Sequence, residues 1–218
     1  MAATPAIAHA QFSVIDYNGG TPNGFVGNDI FNDVRSAAKV EVTGDHLSFN
    51  RIRFWAILED IPEWTNYAPT MFWQLLKDNG GIPDNSMVQT GGYSVAAASN
   101  AVDFDSPGSG FKIWQFDFTV SDQYVPTGSY WLALHDNVFD EFDPGSYTNS
   151  NMIWALSSIN GPYMAESVSP DDVWAQHGED GLAFQLLSPE PGSIVLMATG
   201  FVGILGISRR RRKIAQAN

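Results

Sequence analysis

Four histidines, His9, His46, His135 and His177, are the side chains best suited to proton transfer or metal binding near neutral pH. No two of them stand at a metal-ligand spacing, and no His-Glu-x-x-His motif occurs. His135 precedes Asp136, but such a pair at a strand end more often makes a loop hydrogen bond than a catalytic dyad. The sequence also lacks a Gly-x-Ser-x-Gly elbow and a phosphate-binding glycine loop. These patterns predict neither an enzyme nor an organic cofactor.

Acidic residues gather at Asp136, Asp140 and Asp143, with Glu141 between them. Hard oxygen ligands in one loop can bind Ca²⁺, so these aspartates are weak calcium candidates. The spacing is not that of an EF-hand, and the alternative is a solvated turn in an acidic protein. Two carboxylates could also hydrolyse a glycoside, but a chain with 24 acidic residues offers many such pairs and singles out none.

Seven tryptophans suggest a second kind of site, because an exposed indole on a sheet can stack on a sugar ring. Trp55 and Trp131 alternate with apolar positions, so we expect both to point outward as candidate carbohydrate ligands. The alternative is a second buried face of the sheet. Trp73 and Trp114 fall on apolar faces and are expected in the core, whereas Trp64 and Trp174 stand among acids and prolines typical of loops.

Composition limits the class of protein. The 218 residues are 44% hydrophobic and 13% aromatic, which is too apolar for a disordered chain and long enough for one domain with its own core. There is no cysteine, so disulfides and thiolate chemistry are excluded. Residues 1–190 hold six basic and 24 acidic residues, a formal net charge of −18, and residues 191–218 carry +5. A body this acidic repels phosphate backbones, so we expect no nucleic-acid partner.

The body from residue 11 to 187 has the period-two pattern of antiparallel strands. Apolar residues recur at every second position along 52–58, 114–120 and 130–134, and Gly-, Pro- and Asn-rich turn signals separate such runs. They include Asn18-Gly19-Gly20, Asp78-Asn79-Gly80-Gly81 and Pro126-Thr127-Gly128. The pattern predicts an all-β fold, an antiparallel, jelly-roll-like β-sandwich. One short helix is predicted from Asn28 to about Ala38.

The C-terminal thirty residues have three parts. Pro189, Glu190 and Pro191 form a breaker motif, Ile194 to Ile207 is an uncharged apolar run, and Arg209, Arg210, Arg211 and Arg212 follow with Lys213. As a helix the apolar run is about 21 Å long, short of the roughly 30 Å hydrocarbon core of a bilayer. The arginines can extend it by snorkelling and hold this end in the cytoplasm. Alternatives are a buried C-terminal helix, which should be amphipathic, or a plain tail anchor.

This order of Pro-Glu-Pro, apolar run and arginine cluster resembles the PEP-CTERM sorting signal of Gram-negative bacteria. The resemblance covers Pro189 to Lys213 and implies a substrate of an exosortase, a membrane-embedded protease that recognises the tail. It implies that the chain is halted in the inner membrane by a short transmembrane helix, processed near the motif and released to the cell surface or matrix. Such proteins commonly accompany exopolysaccharide and biofilm production, which makes exopolysaccharide a further expected partner. The order of phrases in the body is similar to that of other PEP-CTERM proteins, but more loosely.

The predicted organisation has four parts. Residues 1–10 resemble the remnant of a signal peptide, because Ala8-His9-Ala10 has the small-x-small form of a cleavage site without the regions that should precede it. Residues 11–187 form the β-sandwich, 188–213 the sorting signal and 214–218 a tail. The leading hypothesis is an exported, non-enzymatic protein. A carbohydrate-binding module and a secreted hydrolase are the alternatives.

Overall fold

The computed structural model describes residues 13–30, 34–59, 70–102, 111–136, 152–158, 164–168, 173–177 and 181–189. Residues Ile15–Ser188 form one compact unit. The described residues form strands and connecting turns and contain no helix. The strands are β1 Ser13–Asn18, β2 Pro22–Asp29, β3 Val34–Glu59, β4 Thr70–Asp78, β5 Pro83–Val95, β6 Ala97–Val102, β7 Phe111–Asp136, β8 Ile153–Ser157, β9 Met164–Val168, β10 Val173–His177 and β11 Phe184–Pro189. The predicted all-β class is confirmed.

These strands belong to one hydrogen-bonded sheet with the main order β1-β11-β3-β7-β4-β5. Its spine is the antiparallel pair of β3 and β7, two strands of 26 residues each, which pair from Ser36↔Leu134 to Glu59↔Phe111. The first part of β3 also pairs with β9, and its later part pairs with β8 and β11. The long pair therefore positions nearly every other strand of the sheet.

Two register shifts interrupt the β3–β7 pair, one between Val42 and His46 and one between Phe49 and Arg51. Each shift changes which alternate residues face the main core. Core positions on β3 are even from Ala38 to Val42, odd at Leu47 and Phe49, and even again from Ile52 to Leu58. Bulges bend a strand and increase its twist, which lets one strand serve two parts of the core.

The main core collects aromatic side chains from several strands, some of which are not sheet neighbours. Phe49 of β3 meets Trp73 of β4 edge to face, with ring centroids 6.3 Å apart, although β4 pairs with β5 and β7. Phe54 contacts Trp154 in the same way at 6.3 Å, and Trp154 contacts Phe184 at 6.1 Å. Trp73 and Trp114 both belong to this core, as the sequence predicted.

The outer face of the long pair carries two smaller apolar clusters. One contains Ala37, Leu76, Trp131, Ala133, Ala165 and Trp174, and the other contains Trp55, Ile57, Ile113, Ala155 and Ala183. Much of the sheet is therefore buried on both faces. Trp174, expected in a loop, is instead a buried residue of β10, where its Nε1 donates to Asn85 Oδ1 at 2.7 Å. Trp64 lies outside the described residues.

Two local predictions are wrong. The helix from Asn28 to Ala38 is not formed. Asn28 belongs to β2 and pairs with Trp154 of β8. Residues 34–38 of β3 pair with β9, and from residue 36 onward they also pair with β7. The Pro126-Thr127-Gly128 turn is not formed either, because these residues belong to β7 and lie opposite the extra residues of β3 at the first register shift. Pro126 lacks an N–H and is placed at the first register shift, where the hydroxyl of Thr127 donates to the Gly44 carbonyl. The predicted turns at Gly20 and at Gly80 and Gly81 are confirmed, with φ of 100°, 68° and 99°.

Candidate functional site

The last strand leads directly into the sorting motif. β11 pairs with β3 from Phe184↔Phe54 to Leu187↔Arg51, and its final residue is Pro189. Phe184, Leu186 and Leu187 are all buried. Glu190, Pro191 and the tail, including Ile194 to Ile207 and Arg209 to Arg212, lie outside the described residues. The buried part of β11 thus ends just before the motif begins.

Trp131 lies on a second buried face of the sheet, which was the alternative to an exposed sugar platform. This indole is 0% exposed and its Nε1 donates to Asp78 Oδ1 at 2.6 Å. The ammonium of Lys39 lies 6.0 Å from the ring centroid. Trp131 packs in the outer cluster with Trp174, so its ring does not present a face to a sugar.

Trp55 also lies on a buried face and not at the surface, since only 5% of this residue is exposed. It packs in the second outer cluster, in which Ala155 and Ala183 come from β8 and from the segment before β11. Trp55 does lie on the face opposite the main core, as the alternation predicted, but chain segments that are distant in sequence cover this second face. Both indoles therefore contribute to stability.

A partly buried charged cluster surrounds Trp131. Lys39 Nζ lies 3.0 Å from Glu41 Oε1 and 3.9 Å from Asp78 Oδ1, and Ser129 Oγ donates to Glu41 Oε2 at 2.6 Å. One ammonium thereby bridges the two carboxylates, and the cluster links strands β3, β4 and β7. This arrangement suits a structural ion network better than proton transfer, because each carboxylate already has a fixed donor.

Tyr17 seals a gap on the edge of β3. Its hydroxyl accepts the Glu41 N–H at 3.3 Å and lies 3.5 Å from the Lys39 carbonyl, at a place between the parts of β3 that pair with β9 and with β11. Burial raises the pKa of Tyr17 above its ordinary value. The phenol is therefore a neutral hydrogen-bonding group at the sheet edge.

The acidic loop is only partly described. Asp136 is the buried last residue of β7, and its N–H donates to the Ile30 carbonyl at 2.7 Å. Asp140 and Asp143 lie outside the described residues, so the calcium prediction stays a prediction. Within the described ranges no group of three acidic or histidine side chains could hold a metal. His135 and Asp136 are the last two residues of β7, which confirms the expected strand end, and as consecutive strand residues their side chains point to opposite faces.

A polar strip that was not predicted from the sequence lies on the outer face of β3 and β7. Tyr124 is 65% exposed and stacks on His46, with ring centroids 4.4 Å apart and planes inclined by 21°. Asn50 Nδ2 donates to Asp122 Oδ1 at 3.1 Å next to this pair. The sequence pattern could have indicated this strip. Leu47, Phe49 and Val125 are apolar and face the core, so the residues between them lie on the other face.

Comparison with known proteins identifies the tail. A family model described as the PEP-CTERM protein-sorting motif matches residues 189–212. The chain therefore carries a PEP-CTERM sorting domain, as the tripartite sequence indicated. The motif implies processing by an exosortase, a membrane protein, and export to the cell surface. No curated protein and no solved structure is significantly similar to the chain.

The sorting motif directs attention to membrane segments. Among the strands and turns that the structure describes, no helix is long and apolar enough to cross a bilayer.

Proposed function

We propose that this chain is a non-enzymatic protein of the cell surface or extracellular matrix, which an exosortase-type system sorts and which works without a cofactor. The observation that carries the proposal is the PEP-CTERM motif at residues 189–212. In this proposal the body is the exported product, and the motif and tail serve its delivery. Matrix exopolysaccharide is the partner we propose for the delivered body.

The tail has the physical properties that a transient membrane halt requires. The uncharged run from Ile194 to Ile207 partitions into hydrocarbon, and Arg209 to Arg212 hold its far end on the cytoplasmic side. The charge of +5 on residues 191–218 lies beyond the apolar run, and this basic cluster sets the orientation. The body therefore faces the export side while the tail stays in the inner membrane.

The position of β11 supports processing without loss of the fold. Among the side chains of β11 whose burial the structure describes, those of Phe184 to Leu187 are buried and all precede the motif. A cut within or after Pro189, Glu190 and Pro191 leaves Phe184, Leu186 and Leu187 in the body. The exported product then keeps the strand that pairs with β3.

We further propose that the single sheet folds over into the two layers of a β-sandwich. The support is the contact between Phe49 and Trp73, which joins the middle of β3 to a strand paired with the far end of β7. The Ser94 hydroxyl of β5 also donates to the Thr119 carbonyl of β7 at 3.0 Å. Such contacts between non-neighbouring strands arise when the halves of a bent pair face each other.

The non-enzymatic part of the proposal rests on how the described carboxylates are used. Asp117 accepts two hydrogen bonds from Arg53, at 2.7 and 3.0 Å. Asp78 and Glu41 share Lys39. A glycosidase needs two carboxylates free to act on one bond, whereas these are engaged in bridging strands.

The sorting proposal is tested by two truncations expressed in an exosortase-containing host. Deleting residues 189–218 removes the motif and should abolish surface delivery. Deleting only residues 214–218 keeps the matched motif and should leave delivery unchanged. Cell fractionation with detection of the body measures both. Unchanged delivery of the chain that lacks residues 189–218 would contradict the proposal.

A further inference from the structure

Five side chains form a continuous polar strip on the outer face of the long strand pair. His46, Ser48 and Asn50 come from β3, and Tyr124 and Asp122 come from β7. Ser48 is the register partner of Tyr124, and His46 is the partner of Pro126, so the two rings are diagonal neighbours across the strands. We call these five residues the outer strip.

The position of the strip is set by the two register shifts. Leu47, Phe49 and Val125 point into the main core, so the residues between them must point outward. His46 lies at the first shift and Asn50 at the second, where the strands bend. The strip therefore lies on the outer side of the bend, away from the two outer apolar clusters that bury Trp55 and Trp131.

The geometry points to a binding site for an uncharged polysaccharide on the outer strip, with Tyr124 as the stacking platform. This inference rests on the exopolysaccharide partner proposed above and deepens it, because it names the residues that bind the polymer and the class of polymer. Tyr124 is the most exposed aromatic side chain among those that the structure describes, at 65%. The His46 ring supports it from one side at 4.4 Å and holds it in one orientation.

Stacking on a sugar follows from the chemistry of the ring. The face of an aromatic ring carries partial negative charge, and the axial C–H groups of a pyranose carry partial positive charge. A tyrosine fixed by a second ring loses little rotamer freedom when a ligand arrives, which lowers the entropic cost of binding. The apolar face of a hexose is therefore a suitable partner for Tyr124.

Hydrogen-bonding groups stand beside the platform. Asn50 Nδ2 donates to Asp122 Oδ1 at 3.1 Å, which sets an amide and a carboxylate side by side. A carboxylate has about four acceptor positions and an amide has two donors and an acceptor, so the pair retains capacity after this bond. Neighbouring hydroxyls of a sugar offer the donors and acceptors that match such a pair.

Charge selects the class of polysaccharide. The strip contains the carboxylate of Asp122, and the surrounding body has a formal charge of −18. An anionic polymer is repelled by this field, whereas an uncharged one is not. The four residue steps from His46 to Asn50 span about 13 Å, enough for more than one sugar unit along the strand.

Affinity electrophoresis of the full-length chain in nonionic detergent tests the inference. Native gels contain a β-glucan, a mannan or a galactan, with alginate as the anionic comparison. At least one neutral polysaccharide should retard the wild type, and Tyr124→Ala should weaken the apparent affinity at least tenfold. Tyr124→Phe retains the ring face and should still bind. Tyr93→Ala, which removes another exposed tyrosine from β5, should bind like the wild type.

The opposing outcomes are equally definite. The inference is overturned if no neutral polysaccharide retards the wild type, if alginate alone does so, or if Tyr124→Ala migrates like the wild type. Tryptophan fluorescence of each variant confirms that the fold is intact, since Tyr124 lies outside the core. Because the purified chain is used, failure here leaves the sorting proposal standing, and failure of sorting leaves this result standing.

Discussion

Replacing Phe184 with alanine should destabilise the body severely, because this residue joins the last strand to the core. Its ring is 1% exposed, stacks on Tyr17 at a centroid distance of 5.6 Å and meets Trp154 edge to face at 6.1 Å. Truncating a buried phenylalanine to alanine costs about 3–5 kcal/mol. Domains of this kind have a free energy of unfolding of about 5–15 kcal/mol. Phe184→Ala should therefore remove about a fifth or more of a typical stability.

Urea unfolding of the full-length chain in nonionic detergent, followed by tryptophan fluorescence, measures this loss. The matched control is Tyr124→Ala, which removes an exposed ring and should change the free energy of unfolding by about 0.5 kcal/mol or less. If Phe184→Ala costs less than about 1 kcal/mol, β11 does not close the core. The argument that processing at the motif must spare this strand would then be refuted.

Two further predictions concern charge and close packing. Burial, with the nearby charge of Glu166, raises the pKa of Asp29 above 3.8, so the folded state binds more protons and stability falls as pH rises through this window. Asp29→Asn should therefore stabilise the protein at neutral pH and lose this advantage below pH 3.8, as urea unfolding at both pH values would show; equal effects would contradict this. A Cβ at Gly27 would lie 2.2 Å from the Trp154 carbonyl oxygen, so Gly27→Ala should cost at least about 1–3 kcal/mol. Gly44→Ala, with its nearest atom 4.0 Å away, should unfold like the wild type, and equal losses would refute the packing argument.

Local alternation predicted parts of β3, β4, β7 and β11 but did not single out the other strands. The runs 52–58, 114–120 and 130–134 all lie in β3 or β7 with the expected residues inward. Alternation could not show that the runs near Val42 and Ile52 belong to one strand. The core-facing residues have even numbers in both runs but odd numbers between them, because each of the two register shifts changes which alternate residues face the core. The Pro126-Thr127-Gly128 segment was predicted as a turn because of its residue types. A register shift between paired strands tolerates the same residues as a turn.

Burial of the second sheet face could not be predicted from local sequence. Trp131 and Trp55 obey the alternation, but the residues that cover them, such as Trp174 and Ala183, are distant in the chain. Conversely, Tyr124 was not singled out, since only the register with Ser48 and the contact with His46 mark it as a surface platform. The sorting motif was predictable because its chemistry depends on order along the chain and not on tertiary contacts.

The central claim is that the motif at residues 189–212 directs exosortase-type processing of an exported body. The most direct test is the intact mass and the C-terminal peptide of the protein recovered from outside the producing cells. The account predicts a chain that ends near Pro189 to Pro191 and keeps the whole of Phe184 to Leu187. Recovery of the chain with Asn218 intact would contradict it and indicate a plain membrane anchor.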